Sequence, residues 1–468
     1  MQAALTSISG SGFASASASR GQSTAPPTKG WYGAPVQGMF AASAPLFASQ
    51  RGIRRGASVI TSARSGEGST PEGASRLSLN LLSMPVLPQG LMVSGVKTSW
   101  RTTWKLMMNE LAPQTPSGSY ARPQHKFSGW IGRDSEFPIE YGRYHLYVGN
   151  ACPWCHRILL TLAVRSLQPH ISITFMQDDA EKASRGGWVF SKESPDVVFN
   201  ARDLKGVYDR ASPGVTPYVG RCTAPLLVDK KRRRIVSNDS ADIMRMLNEF
   251  DLPGGSGIDL YPEQLASEID RINYLVYERI NNGVYKCGFA TQQAAYDQAV
   301  KELYEALDEV DARLAKSRFL MGDKLTEADL KLFPTIIRFD SVYATLFKCT
   351  ARRIRDYPHI NMWMRDVYQL NTPGGFTVKQ TYSAKKAIES YYGQLFPLNP
   401  GGVVPLGPYE NDLGINEPHA RGKRQDNIYH MRDPARVQRR ANPISSDSAA
   451  PGRLPGSPAQ KGRITAGQ

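Results

Sequence analysis

The chain is poor in cysteine: five in 468 residues, Cys152, Cys155, Cys222, Cys287 and Cys349. So few exclude a disulfide-stapled scaffold and point to reducing conditions. No further Cys or His stands at the paired spacing that a zinc site needs. Long apolar runs are also missing. Nowhere do ~18 apolar residues follow one another, so no segment is fit to cross a bilayer as a helix. Acidic residues are absent before Glu67. The formal net charge is +15, but it is unevenly spread. Residues 1–120 hold ten Lys/Arg against three Asp/Glu, and residues 411–468 hold ten against five, leaving +3 for residues 121–410. The excess sits at the ends, so no basic face is required of the middle and no nucleic-acid partner is expected.

The opening stretch MQAALTSISGSGFASASASRGQSTAPPTKG is small, hydroxylated and basic. That composition predicts a plastid transit peptide; a mitochondrial address, or a disordered arm on a cytoplasmic protein, is the alternative. Residues 1–115 read as transit peptide and disordered region, with no domain assigned to the patch SRLSLNLLSMPVL. Residues 411–468, rich in Pro, Arg, Ser and Gly, read as a disordered basic tail.

Between these ends the texture changes. RYHLYVG (143–149) alternates and predicts a strand, and CPWCHRILLTLAVRSL predicts a helix with Pro153 in its first turn. ISITFMQ predicts a second strand, residues 178–220 a polar, Gly-rich connection, and TAPLLVDKKRRRIVSN two strands around a basic, solvated turn at Lys230–Arg234. SADIMRMLNEF predicts a helix with Ile243, Met246, Leu247 and Phe250 on one face. That order gives a thioredoxin-like α/β domain over residues 120–255. Residues 256–410 carry helical patterns only, one of them opened by Thr326 with Asp329 three positions on, in the manner of a capping box.

Cysteine at a strand-to-helix junction meets unpaired backbone N–H groups and the positive end of the helix dipole, which favour thiolate over thiol. Cys152 stands there, with His156 and Arg157 as nearby positive charge, while Cys155 lies one turn in and is expected to be packed. Two buried cysteines three apart by chance is the bland alternative. Ala224-Pro225 enters the next strand at the place where thioredoxin-type folds put a cis-proline facing the active cysteine. Asp239-Ser240 opens a helix with a carboxylate, a hydroxyl and free N–H groups, suited to the amine and carboxylate of a γ-glutamyl group; taken alone it is an ordinary N-cap.

In family order, the segments GRYHLYVGNACPWCHR, GGWVF, GRCTAPLLVDKKRRRIVSNDSADIMRM, INNGVYKCGFATQQAAYDQA, LTEADLKLFPTIIRFDSVY, LFKCT, DYPHINMWMRDVYQ and YYGQLFPLNPGGVVPLGP resemble the glutathionyl-hydroquinone reductases, the Xi-class glutathione transferases. The resemblance covers roughly residues 120–410. It implies a glutathione transferase helical domain after the thioredoxin-like one, glutathione as co-substrate without a metal, glutathionyl-hydroquinones as substrates, and a homodimer. It implies Cys152 as nucleophile, forming a mixed disulfide with glutathione that a second glutathione resolves. Trp188, Arg221, Cys222, Thr223, Ala224, Asp239 and Ser240 match the glutathione-binding positions. Tyr285 matches a proton donor to the leaving ring, and Tyr343 and Tyr391 match hydroxyls that lower the nucleophile's pKa. For each tyrosine the plain alternative is a core ring with a satisfied hydroxyl.

There are departures from the family pattern. CPWC replaces a common CPWA, so Cys155 is a candidate resolving thiol. Asp239 is one methylene shorter than the usual Glu. Val228 replaces a common tryptophan, and GQL follows the YY pair where Ser-His is common. Two other readings stay open: a glutaredoxin-like dithiol reductase using Cys152 and Cys155, and a non-catalytic binding protein with a transferase fold.

Overall fold

The computed structural model describes residues 88–433 apart from 134, 150, 215–216, 252–253, 376 and 423–426. The expected transit peptide, the patch SRLSLNLLSMPVL and the tail beyond residue 433 lie outside the described residues.

Strand β1 (Tyr144–Gly149) is buried along its whole length, so every residue contributes to the core. It pairs in parallel with β2 (Ser172–Asp178) and antiparallel with β4 (Leu226–Asp229). β3 (Trp188–Val189) closes one edge on β2 and β5 (Arg234–Ser237) the other on β4, giving the order β3-β2-β1-β4-β5. Helix α2 (Pro153–Arg165) crosses from β1 to β2. It is apolar all round (ILLTLAV), which suits a helix with no solvent face. Only Trp154 of its thirteen residues is not fully buried. One side meets α4 (Ser240–Asn248) and the other α8 (Glu327–Arg338) of the helical half.

The connection expected over 178–220 is not plain. It holds β3 and helix α3 (Leu204–Ala211), which Asp203 caps by accepting the Gly206 N–H at 2.9 Å. Val207, Tyr208 and Ala211 bury its inner face against the sheet. Eight residues with a mid-helix glycine carry too few apolar repeats for periodicity to detect.

The helical half runs α5 (Ala266–Leu275), α6 (Gly283–Phe289), α7 (Gln293–Leu314), α8, α9 (Ala344–Leu346), α10 (Pro358–Tyr368) and α11 (Ala384–Gln394). Two single-turn π segments, Val276–Asn281 and Phe339–Tyr343, interrupt the expected plain helices. Such bulges re-aim side chains and recur at functional sites. The capping box forms: Asp329 accepts the Thr326 N–H at 3.1 Å, and also the Leu320 N–H and the Trp363 indole N–H. Arg245 of α4 donates to Glu327 at the head of α8, where Lys331 joins the same carboxylate; this cluster clamps the two domains together.

Both ends of the domain reading need correction. Helix α1 (Gln89–Leu111) lies inside the stretch assigned no domain. Val93, Val96, Trp100, Trp104 and Met107 recur at helical spacing there, within an otherwise Ser/Gly-rich setting. Met108 is buried, and the Trp104 indole N–H donates to the Pro397 carbonyl at 2.9 Å. At the other end, residues 411–422 and 427–433 lie against the helical domain instead of forming a free tail. Ile415 and Ile428 are buried, Leu325 N donates to Ile428 O at 2.8 Å, and Arg432 pairs with Asp251. Arg421 donates to the Leu314, Ser317 and Arg318 carbonyls at the C-terminus of α7. An arginine bonded to helix-end carbonyls is held by the dipole, which composition alone does not reveal.

Candidate active site

Cys152 is the N-cap of α2, with extended backbone and Pro153 as the first helical residue. It is half-buried at the floor of a cavity of ≈ 1330 Å³, whose walls come from both halves of the chain. Its sulfur lies 3.8 Å from the carbonyl of Ala224, whose peptide bond to Pro225 is cis. Burial by itself pushes the thiol up. The hydrogen bond from the Cys155 side chain, the N–H groups of Cys155 and Trp154, and the charge of Arg338 outweigh it, so the Cys152 pKa falls below its ordinary value. Cys155 is fully buried, and its sulfur accepts the Gly149 N–H at 3.3 Å. Burial and the neighbouring Cys152 push its pKa well up.

Of the two positive charges the sequence offered beside the thiol, Arg157 stands and His156 does not, and Arg338 adds another. His156 is buried between α2 and the helical domain, where burial and Arg338 drive its pKa well down, so it is neutral. Its Nδ1 accepts from Arg338 Nη1 at 2.9 Å, which leaves Nε2 as the donor to Thr381 Oγ1 at 2.8 Å. Arg157 is buried too; burial lowers its pKa to about 10, so it stays charged, and it donates to Asn281 Oδ1. Arg338, the last residue of α8, is 2 % exposed. Its partners are the Ala151 and Pro334 carbonyls and the neutral imidazole, none of which carries negative charge. A buried guanidinium held only by neutral acceptors favours an anion nearby, and the bonded carbonyl of Ala151 immediately precedes Cys152. Arg338 lies about 190 residues away in sequence, within a segment whose expected contribution was Tyr343; only the packing of α8 on α2 reveals it.

The three tyrosines come together. Tyr285 Oη lies 2.7 Å from Tyr391 Oη, and Tyr391 Oη lies 3.0 Å from Tyr343 Oη. α6, the second π segment and α11 supply one each. Burial raises the pKa of all three, and Arg122 and Tyr391 partly oppose it at Tyr285. All three hydroxyls are therefore protonated at neutral pH. Tyr343 and Tyr391 were expected to act on the thiol. Tyr391 bonds both Tyr343 and Tyr285, and the groups that oppose burial at Cys152 are Cys155, Trp154 and Arg338.

The expected glutathione-binding residues Trp188, Arg221, Cys222, Thr223, Ala224, Asp239 and Ser240 all line the cavity. Trp188 lines the cavity and packs on Gly149, where an added Cβ would meet the indole at 2.2 Å; only glycine at the end of β1 leaves room for it. Asp239 is the N-cap of α4, accepting the Ala241 N–H at 2.7 Å, and Ser240 is buried at the first helical position. Both line the cavity. Arg221 is turned to the C-terminus of α1, donating to Glu110 O at 2.9 Å and Leu111 O at 3.3 Å. Cys222 is buried in the core of the first domain. Thr223 accepts through its carbonyl from Tyr208 Oη at 2.9 Å and through its hydroxyl from Asn238 Nδ2 at 3.1 Å. The segment before the cis-proline makes these bonds within the protein and still faces the cavity. One cavity residue that sequence reasoning missed is Arg122. Its guanidinium carbon lies 4.4 Å from the Trp154 ring centre and 5.0 Å from that of Tyr285. It precedes β1 in an irregular stretch with no periodicity to mark it.

Among the described residues no cluster of His, Cys, Asp or Glu is placed to hold a metal ion, and no helix is long and apolar enough to cross a membrane. The donors at the cavity suit a thiol peptide: a thiolate-stabilising helix terminus, a carboxylate-bearing N-cap and an indole wall.

Comparison with known proteins agrees. The family models for the N-terminal and C-terminal domains of glutathione S-transferase match residues 151–249 and 293–366. The chain is 40% identical over 330 residues to glutathionyl-hydroquinone reductase PcpF of Sphingobium chlorophenolicum, covering 70% of this chain and 98% of that protein. It is 37% identical over 348 residues to glutathionyl-hydroquinone reductase YqjG of Escherichia coli, covering 72% and 99%. The glutathione-bound structure of YqjG superposes with a TM-score of 0.58 at 39% identity, covering 64% of this chain and 97% of that one. The Xi glutathione transferase of Phanerochaete chrysosporium gives 0.58 at 40%, covering 63% and 94%. With both transferase domains in order and relatives matched over nearly their whole length, this chain belongs to the glutathionyl-hydroquinone reductases, the Xi class of glutathione transferases.

Proposed function

We propose that the protein reduces glutathionyl-hydroquinones to hydroquinones with glutathione as reductant. The observation that carries this is one cavity lined by a depressed-pKa Cys152 from the first domain and by Tyr285 and Tyr391 from the second, with Tyr343 hydrogen-bonded behind Tyr391. The Cys152 thiolate attacks the glutathionyl sulfur. The carbon–sulfur electron pair stays with the ring, whose sulfur-bearing carbon has taken a proton from Tyr285, and hydroquinone leaves. Cys152 is left as a mixed disulfide with glutathione. A second glutathione thiolate attacks that disulfide, releasing glutathione disulfide and restoring Cys152. Tyr391, bonded to both other hydroxyls, passes a proton back to Tyr285. A phenol suits the task because it donates without being charged at neutral pH. Trp188, Asp239 and Ser240 hold the peptide half.

The test is turnover of glutathionyl-menadiol by the full chain, following menadiol and glutathione disulfide by chromatography. Cys152→Ser is expected to lose it by roughly 1000-fold or more, as removal of a nucleophile does. Inactivity of the unmutated, folded protein overturns the proposal. A dithiol reading has one observation in its favour, the hydrogen bond between Cys155 and Cys152. It requires Cys155→Ser to lose turnover as fully as Cys152→Ser does; the one-cysteine mechanism retains it. A homodimer, tested by light scattering, and a plastid address, tested by the location of a fluorescent fusion, complete the proposal.

A further inference from the structure

Arg122 is held on one side and lacks a hydrogen-bond partner on the other. Its Nε donates to Asn282 Oδ1 at 2.5 Å, at the end of the first π segment, and its plane lies against Trp154 and Tyr285. Its Nη2 is closed off from water and has no hydrogen-bond partner. Buried donors are almost always satisfied, so an orphan on a guanidinium that lines a cavity points to a ligand atom. That atom is an acceptor, and the wall it approaches is aromatic: Trp154 and Tyr285, with Phe289 packed on Tyr285.

We propose that Arg122 binds the phenolic oxygen of the substrate's aromatic half, so that the second ligand of this cavity must be a phenol or hydroquinone rather than a plain aryl thioether. This rests on the reductase reading above and adds the reason the ring can leave. An aryl carbon departing with a bare electron pair is a poor leaving group. A phenolate is not. With the ring oxygen ionised on Arg122, its electrons make the sulfur-bearing carbon basic. That carbon takes the Tyr285 proton, forming a dienone whose oxygen is now a carbonyl. Cys152 thiolate then attacks the glutathionyl sulfur. The carbon–sulfur pair restores the aromatic ring and returns the negative charge to the oxygen on Arg122. Cys152 is oxidised to the mixed disulfide and the ring carbon gains two electrons and one proton. Tyr285 recovers its proton from solvent through Tyr391, and the phenolate is protonated on release. A cation already fixed where the charge develops needs no reorganisation during the step.

The experiment compares Arg122→Gln and Arg122→Lys with the unmutated protein on two substrates. One is glutathionyl-menadiol. The other is 2-hydroxyethyl disulfide with glutathione, which uses Cys152 but has no phenolic oxygen. The expected result is a fall in the menadiol-to-disulfide ratio of kcat/KM by roughly 100-fold in Arg122→Gln, the scale for losing one oxyanion donor. Arg122→Lys keeps the charge but not the planar fork, so it should fall about tenfold, and it decides the matter if Arg122→Gln does not fold. Equal losses on both substrates, or an unchanged ratio, overturn the assignment and leave Arg122 as a support for Trp154 and Tyr285. Weakened glutathione affinity with an unchanged ratio moves Arg122 to the peptide half and likewise overturns it. If the unmutated protein reduces the disulfide but not glutathionyl-menadiol, the reductase reading itself falls, and this proposal with it.

Discussion

Cys152 and Cys155 in the first domain, and Cys287 and Cys349 in the second, are two pairs of neighbouring thiols. Burial acts on both pairs. In the second, Cys349 feels burial and the adjacent Cys287, both of which push its pKa well up. Its sulfur meets the Phe347 carbonyl at 3.8 Å, an acceptor that cannot stabilise a thiolate. In the first, Cys152 feels burial as well, yet its pKa falls. The difference is made by donors and a cation: two N–H groups of the opening turn of α2, the Cys155 thiol, and Arg338 from the other domain. Neither the residue type nor the presence of a second thiol makes a nucleophile. The environment must offer more to the anion than burial removes.

This contrast depends on the helical domain staying locked on, because Arg338 belongs to it. Glu327 is the centre of that lock. Burial favours its neutral form, but Lys331 and Arg245 hold its pKa down at about 2. Glu327→Gln leaves two cations without their shared carboxylate and should cost about 3 kcal/mol in urea unfolding at pH 7. A folded pKa below the ordinary carboxylate value contributes stability that is present above about 4.5 and is lost as pH falls toward 2. The deficit of the variant should therefore shrink over that same range.

A smaller effect tests the cation directly. Arg338→Met should raise the Cys152 pKa, seen as an upward shift in the pH midpoint of iodoacetamide alkylation. A shift of one unit makes alkylation about tenfold slower at pH well below the midpoint, because the thiolate fraction there falls by that factor. An unmoved midpoint would show that the helix terminus and Cys155 suffice and that Arg338 is packing. The least effect is expected in the second pair. Cys349→Ser should leave turnover and the Cys152 midpoint unaltered and change stability by about 1 kcal/mol, the usual scale for a buried substitution of similar size. Rapid alkylation of Cys349 in the native protein would erase the contrast between the pairs.

Much of the site was legible because it is local. The N-cap cysteine, the proline in the first turn, the capping Asp239 and the hairpin around the basic turn each depend on neighbours within a few residues, and each forms as read. The misreadings involve partners far along the chain. His156 reads as a charge until the helical domain buries it. The basic C-terminal stretch reads as solvated until Arg421 finds the end of α7.

The sequence by itself determined that a thiol would stand at the positive end of a buried helix, in a thioredoxin-like half followed by a helical half. Strand alternation, an all-apolar helix and a capping residue are enforced by steric and solvation rules that act over one or two turns. Only the tertiary structure decided which charge stands behind that thiol, that three tyrosines from separate helices share one hydrogen-bonded chain, and that Arg122 lies between two rings with a donor unpaired. Those are contacts between residues 32 (Arg122 and Trp154) to 187 (Ala151 and Arg338) apart. Which distant groups meet is set by how whole faces pack against each other, and no short stretch of sequence carries that information.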